Sequence, residues 1–578
     1  MIAQLFRRKP VEEAPAPRLR RVLSVVDLTA IGVAAVIGAG IFSTIGEAAA
    51  MAGSSVTLVF VIGAIVAGLS ALSYAEMASS VPLSGSAYTY TYVVFGEVIA
   101  WMVGWMLVLE YAVGNIAVAI SWSGYFQALL ASWGVPLPLY WVQDPLSLWR
   151  EAQQFLATGD PTFRAAYEAW QAAPRLLGVP LILNLPALGI TALVTLIAYI
   201  GIQESRLANN LLVALKIGAV LLVIAVGAWF VDPARWEDFM PNGFAGMMRG
   251  VGAVFFAYIG FDALSTTAEE ARNPKRDLPL AMFLSLALCT LLYVGVALVL
   301  TGLAPYKELS VPDPLAYVLG HLPLSEGWRR FLMGVVAVSA VIAMASVLLV
   351  FQIGQPRIWY AMSRDGLLPS ALGRVHPRFQ TPHIATLLTG LAVAIPLFFS
   401  SLHAVVDMTS MGTLMAFAVV SAGVAYLHHK PPVGYAPRFR VPKVPGRWPF
   451  LLMVLLGLFW AYSLNPKGFV ALGDLSQGGP LWKYRVFLLL VGIVGFFIVR
   501  YNLSLLPMLG LLSALYLIVE LDVENWIRLG LWTAVGLGLY FGYGYGHSGL
   551  RAGRVRSLAG EKPEGNGSTP EQGHSTPT

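Results

Sequence analysis

The chain reads as an all-α integral membrane protein of about fourteen transmembrane helices. Spans 1 and 6 are broken mid-membrane, and the core is an inverted repeat of five plus five helices. Three observations predict this. Hydrophobic residues make up 57% of the 578 residues, charged residues 12%, and mean hydropathy is +0.70, a composition outside that of soluble domains. The stretch Thr29-Ala30-Ile31-Gly32-Val33-Ala34-Ala35-Val36-Ile37-Gly38-Ala39-Gly40-Ile41-Phe42 puts Gly-Ala-Gly in the middle of a span. Residues 32–39 recur, with five of eight positions identical, at 250–257.

A spanning helix keeps its backbone bonded to itself because lipid offers no partner. A Gly-Ala-Gly break frees amides and carbonyls, and is tolerated only where that backbone is buried in protein or lines a cavity. The two copies open spans 1 and 6. An odd number of crossings separates them, so they run in opposite directions, as an inverted repeat requires.

Apolar stretches long enough to cross a bilayer fall at 27–50, 56–79, 96–130, 183–201, 207–231, 247–268, 278–303, 329–352, 383–400, 404–428, 448–464, 483–499, 504–520 and 526–546. Residues 1–25 are a polar cytoplasmic arm, 26–428 a ten-helix transport core, 429–447 a cytoplasmic Pro- and Arg-rich linker, 448–546 four additional transmembrane helices, and 547–578 a disordered cytoplasmic tail. Residues 1–26 carry no cleavable signal pattern. The loop at 131–182 faces outside and holds two amphipathic stretches that begin at Asp144-Pro145 and Asp160-Pro161, each an N-cap followed by Pro at the first helical position.

Charge placement orients the chain. With the N-terminus inside, cytoplasmic segments hold about two-thirds of the 37 Lys and Arg. Both termini are therefore expected in the cytoplasm, and the net charge of +6 is a topology signal. The basic residues are scattered over loops, which argues against nucleic acid. One cysteine, Cys289, excludes a disulfide framework.

Ionisable groups inside spans are expensive and are functional candidates by default. Lys216 lies near the middle of span 5. Burial penalises its charged form, so it fits a proton-coupling site, or a fixed cation bonding the carbonyls of broken span 1. Asp262 follows the second break and either caps freed amides or faces a substrate. Glu110 in span 3 either bonds backbone or lines the path. Glu76, at the inner end of span 2, reads as structural or solvated. The charged run after span 6, with Glu269, Glu270 and Arg272, sits where an inner gate would.

The break has its own chemistry. A half-helix starting at Gly40-Ile41-Phe42 presents amides and a positive dipole end to a carboxylate. Carbonyls near Val36 and Ile37, and at Phe256, Ala257 and Ile259, suit an ammonium. Together these describe a free α-amino acid. No protease, hydrolase, redox or nucleotide motif is present, so no enzymatic role, cofactor or metal is expected. A channel would want charged rings or repeated filter carbonyls. An amino-acid sensor would usually carry a sizeable soluble signalling domain.

Five motifs carry a resemblance: residues 37–42; Val81-Pro82-Leu83-Ser84-Gly85-Ser86-Ala87-Tyr88-Thr89-Tyr90; residues 255–262; residues 269–279; and Tyr360-Ala361-Met362-Ser363-Arg364-Asp365-Gly366-Leu367. They resemble the amino acid–polyamine–organocation superfamily, and within it the cationic amino acid transporter family and its bacterial homologues. The resemblance implies a five-plus-five inverted-repeat (LeuT-like) core and alternating access. It implies carboxylate binding at Gly38, Ala39 and Gly40, beside Ile41. It implies amine binding by carbonyls of span 1 and of Phe256, Ala257 and Ile259. Lys216 takes the position of a lysine linked to proton coupling in bacterial relatives, and Asp262 and Glu110 match acidic positions. Side-chain selectivity is expected partly in span 8, around Met344 and Ser346. The expectation is an importer of L-amino acids in a prokaryotic plasma membrane, with free amino acid, proton and lipid as partners. A facilitator or exchanger of arginine, lysine or ornithine is the alternative, and a membrane amino-acid sensor the alternative of another class.

Overall fold

The computed structural model of the chain describes residues 5–9, 22–83, 85–176, 178–201, 206–311, 313–399, 402–431, 435–464 and 481–550. The tail beyond 550 and arm residues 10–21 lie outside the described residues. Among the described residues, regular structure is helical except for a short two-stranded ladder, Arg175–Leu176 against Val179–Pro180.

The first span is interrupted. Helix α1 (Val25–Val36) starts from a capping box in which Ser24 and Asp27 bond each other's backbone. It stops at Ile37, whose ψ of 95° leaves the helical region. A five-residue π-turn, Gly40–Thr44, leads into α2 (Ile45–Ala52). Then come α3 (Val56–Ser80), the short α4 (Ser86–Val94) and the long α5 (Glu97–Ser132). The loop that follows holds α6 (Pro145–Thr158) and α7 (Arg164–Ala172). Asp144 accepts from the amides of Leu146 and Ser147, as an N-cap should. Asp160 instead caps a 3-10 turn, Pro161–Phe163, ahead of α7.

Next are α8 (Leu185–Ile200), α9 (Arg206–Ala228) and α10 (Gly243–Phe255). The chain unwinds after α10 through Phe256–Tyr258 and continues as a 3-10 helix, Phe261–Thr267, not as a second α-half. Glycine is required at the joint: Gly260 has φ of +117°. Then follow α11 (Pro274–Leu303), α12 (Pro314–Gly320), α13 (Glu326–Arg364), α14 (His383–Ala394), α15 (Leu402–His429), α16 (Arg447–Leu464), α17 (Leu481–Tyr501), α18 (Leu505–Glu520) and α19 (Val523–Leu539).

Every apolar stretch named above overlaps one of these helices. Among the described residues, eight helices are long and apolar enough by themselves to cross a membrane. Four apolar helices are shorter, and the last two helices meet at 111°.

Helix α5 is the spine, packed along α13 and α15, while α3 packs along α11. Three tryptophans clasp α19 to α5. Trp105 and Trp532 stack at 4.4 Å, and each indole N–H donates to the other's carbonyl, at 2.8 and 3.1 Å. Trp101 donates to Gly536 at 2.8 Å. The linker is not free of the core. Glu76 is fully buried and accepts from Tyr435, the Val441 amide and His428 at 2.7–3.0 Å. Of the two readings of Glu76, the solvated one is therefore corrected: without those donors a buried carboxylate would be prohibitively costly.

Candidate functional site at the paired helix breaks

The two breaks touch. A Cβ built at Gly40 would lie 2.3 Å from the Ala257 Cα, and one at Gly260 would lie 2.9 Å from the Ala35 Cβ. Only hydrogens at these positions let the backbones approach so closely. Val347 of α13 closes over Gly38, whose added Cβ would meet its Cγ2 at 2.6 Å. At the start of the second half, the amides of Ile41 and Phe42 donate to the Gly38 carbonyl at 3.2 and 3.3 Å. Gly38, Ala39 and Gly40 precede them, in the first turn, where helix amides have no acceptor within the helix.

Lys216 of α9 reaches this point. Its Nζ donates to the carbonyls of Ala34 and Ile37 at 3.1 Å each, to Ala343 at 3.4 Å, and to Ser346 Oγ at 2.7 Å. Helix α1 ends there with unpaired carbonyls and the negative end of its dipole, so a cation fits. One ammonium thus joins the broken helix to α13, and no part of Lys216 is exposed.

Four of the five carbonyls expected to receive an amine, those of Val36, Ile37, Phe256 and Ala257, are engaged by protein donors. Tyr293 Oη of α11 lies 2.8 Å from the Val36 carbonyl and 3.0 Å from that of Ala257, bridging the breaks. Ile37 serves Lys216. The Phe256 carbonyl accepts from Ile259 N at 3.2 Å. A carbonyl keeps a second lone pair, so an ammonium can share these groups or displace the phenol. Sequence reasoning did not single out Tyr293, because a tyrosine in an apolar span looks like core.

All ten residues expected to bind substrate, Val36, Ile37, Gly38, Ala39, Gly40, Ile41, Phe256, Ala257, Ile259 and Asp262, are buried. Met344 is buried too, and Ser346 faces Lys216 and donates to Ala343 at 2.7 Å, so neither lines an open pocket. A cavity of about 590 Å³ lies to one side, lined by Trp105, Leu109, Met362, Leu388 and Met408.

Asp262 and Glu110 form a second group. Tyr111 lies 3.5 Å from one Asp262 oxygen. The other Asp262 oxygen and both of Glu110 have no hydrogen-bond partner among the described residues. The phenols of Tyr74 and Tyr90 are also buried without one. Asp262 follows the break directly, in the first turn of the 3-10 helix. It stands near Glu110 as a second buried carboxylate.

Close contacts lie at either end of the paired breaks. On the side of α1's start, the amides of Val22 and Leu23 donate to Glu270 O, and the amide of Arg272 returns a bond to Leu23 O, at 2.9–3.1 Å. Glu270 pairs with Arg357 of α13 at 2.5 Å, a partner not foreseen. Arg272 instead bonds the Val22 carbonyl at 3.2 Å through Nε, and Glu269 lies beside it, half-buried. At the other end Tyr125 donates to Phe42 O at 2.5 Å. Gly46 is pressed so tightly on the Leu309 carbonyl that a Cβ would lie 2.0 Å from it.

Two broken helices thus meet beside a buried lysine, gathering polar backbone inside an apolar bundle. The family profile described as amino acid permease matches residues 23–496, and that of its C-terminus matches 503–548. The chain belongs to the amino acid permease family. The permease is thus a multi-pass membrane transporter of the amino acid–polyamine–organocation superfamily, related to the cationic amino acid transporters, and not an enzyme. It is 40% identical to the branched-chain amino acid permease BcaP of Bacillus subtilis (strain 168), over 80% of this chain and 94% of that protein. It is also 40% identical to the methylthioribose transporter of the same organism, over 77% and 90%. Human cationic amino acid transporter 4 is 31% identical, over 94% of this permease and 90% of its own length.

Proposed function

We propose that this amino acid permease imports L-amino acids into the cytoplasm by proton-coupled alternating access. It has fourteen spans, both termini inside the cell, and a five-plus-five inverted-repeat core at 26–428 supported by the spans of 448–546. The observation that carries the reading is the single ammonium of Lys216 held by Ala34, Ile37, Ala343 and Ser346. Deprotonation would leave Lys216 an amine with fewer N–H donors. The tie between the broken helix and α13 would weaken, and the helix would be free to swing as proton and solute leave together. The carboxylate sits on the amides of Gly38, Ala39 and Gly40. The ammonium takes carbonyls of Val36, Ile37, Phe256, Ala257 and Ile259, displacing Tyr293. Glu270 and Arg357, with Glu269 and Arg272 beside them, form the inner gate. The name of the Bacillus branched-chain relative favours a neutral side chain.

Uptake of labelled alanine, leucine and arginine into proteoliposomes, with and without an inward proton gradient, tests this. Alanine or leucine should accumulate only with the gradient. Lys216→Ala should still bind amino acid yet lose gradient-driven accumulation. Equal accumulation in the variant would sink the coupling role.

The second reading is a facilitator or exchanger of cationic amino acids. The buried carboxylates of Asp262 and Glu110, three of whose four oxygens have no hydrogen-bond partner among the described residues, favour it, since a guanidinium or ammonium side chain would pair with them. Arginine flux indifferent to the gradient would select it. Binding of solute with no flux would select a sensor.

A further inference from the structure

Helices α16 and α17 enclose a groove of about 410 Å³, lined by Phe450, Leu451, Val454, Val491, Gly492, Gly495, Phe496 and Val499, with Arg500 at one end. The lining is otherwise apolar. From Val491 to Arg500 the groove follows about 13 Å of helix at a rise of roughly 1.5 Å per residue, most of one leaflet's half of a ~30 Å core. Gly495 sets its floor, because a Cβ there would meet the Phe450 ring at 2.6 Å. Gly492 leaves it open, since nothing lies within 4 Å of its added Cβ.

The mouth is basic. Arg447 starts α16 and donates through Nε to the Val499 carbonyl at 2.9 Å, which fixes its guanidinium one residue from Arg500 along α17. Arg500 is exposed and lies over the Tyr501 ring at 5.4 Å. Trp448, 74% exposed, stands beside them as an interfacial residue would. Charge of the other sign is missing over a long stretch: residues 429–464 and 481–519 contain no Asp or Glu. The linker, pinned by buried Glu76, brings exposed Arg438, Arg440 and Lys443 to the same region of the chain.

We propose that this groove is a binding site for an anionic phospholipid, one acyl chain lying between α16 and α17 and the phosphate held by Arg447 and Arg500. The occupant follows from the two halves of the site. An apolar slot excludes a free phosphate or sugar phosphate, and two guanidiniums on helices that carry no Asp or Glu select a net negative headgroup over a zwitterionic one. The proposal stands whichever side of the bilayer this end of α16 faces, and whichever amino acid is carried.

Native mass spectrometry of the full-length protein in mild detergent tests it. The probes are phosphatidylglycerol, phosphatidylcholine and chain-free glycerol phosphate. Wild type should retain phosphatidylglycerol in preference to phosphatidylcholine and should not bind glycerol phosphate. Arg500→Gln should weaken phosphatidylglycerol retention roughly five-fold, and Arg447→Gln/Arg500→Gln further, since each basic residue near an anionic surface contributes on that order. Gly492→Leu, whose Cβ would meet nothing within 4 Å, should reduce retention of both lipids by filling the slot. Equal retention of the two lipids by wild type, tight binding of glycerol phosphate, or retention unchanged by both Arg500→Gln and Gly492→Leu would overturn the proposal. Thermal unfolding of each variant identifies misfolded protein, and Arg500→Gln, at an exposed position, keeps the test decisive.

Discussion

Glycine at 40 has no substitute in this fold. Overpacking a core costs about 1–3 kcal/mol when side chains can yield, but the neighbour at 2.3 Å is backbone, the Cα of Ala257. Gly40→Ala is therefore expected to reach the membrane and lose nearly all uptake, with a lowered unfolding temperature. Uptake above half of wild type would mean that the breaks separate more easily than their contact implies. Gly38-Ala39-Gly40 was legible in the sequence because glycines are conspicuous inside a span, and Lys216 because a charge there is rare. The bridge made by Tyr293 was not, since its hydroxyl matters only once Val36 and Ala257 have been brought to either side of it. Ser346 was legible as a polar residue of span 8, but not its orientation toward Lys216.

Helices were the most readable part, because twenty apolar residues have few other ways to bury their backbone. Where they end and how they join was less so. The piece after Gly260 is a 3-10 helix, with Ser265, Thr266 and Thr267 hydroxyls bonding carbonyls three residues back; those local bonds compete with α-helical ones. The linker at 429–447 read as a separate segment, yet Glu76 and His428 draw it against α3 and α15. The clasp of α19 on α5 is similarly long-range. Gly536→Leu should break it, because a Cβ there would lie 2.4 Å from the Trp105 ring. Its expected outcome is an unfolding temperature lowered by several degrees, the effect of roughly 1–3 kcal/mol of overpacking. An unchanged melting curve in detergent would show that α19 does not need the clasp.

In the proposed mechanism, closure of the path depends on pairs that no local pattern announces. Sequence proximity put Glu269, Glu270 and Arg272 together, whereas the fold gives Glu270 to Arg357, far along the chain. Cys289, the only cysteine, reports on this closure: it is buried on α11 one turn before Tyr293. Arg357→Gln removes a partly exposed ion pair worth about 1 kcal/mol, so the open form should become roughly five-fold more populated. Labelling of Cys289 by a small membrane-permeant thiosulfonate should speed up accordingly, while Arg330→Gln, at a pair far more exposed, should not change it. Equal rates in both variants would remove Arg357 from the gate. The Tyr293 bridge has a consequence for how affinities will be measured. A solute amine that displaces a phenol from two carbonyls makes an exchange and not a net gain of bonds, so only the difference between the two donors appears in Kd. A charged ammonium outbids a neutral hydroxyl by a modest margin; an analogue with the amine masked has nothing to outbid it with. Discrimination between amines and their neutral mimics should therefore be sharp even where every dissociation constant is weak.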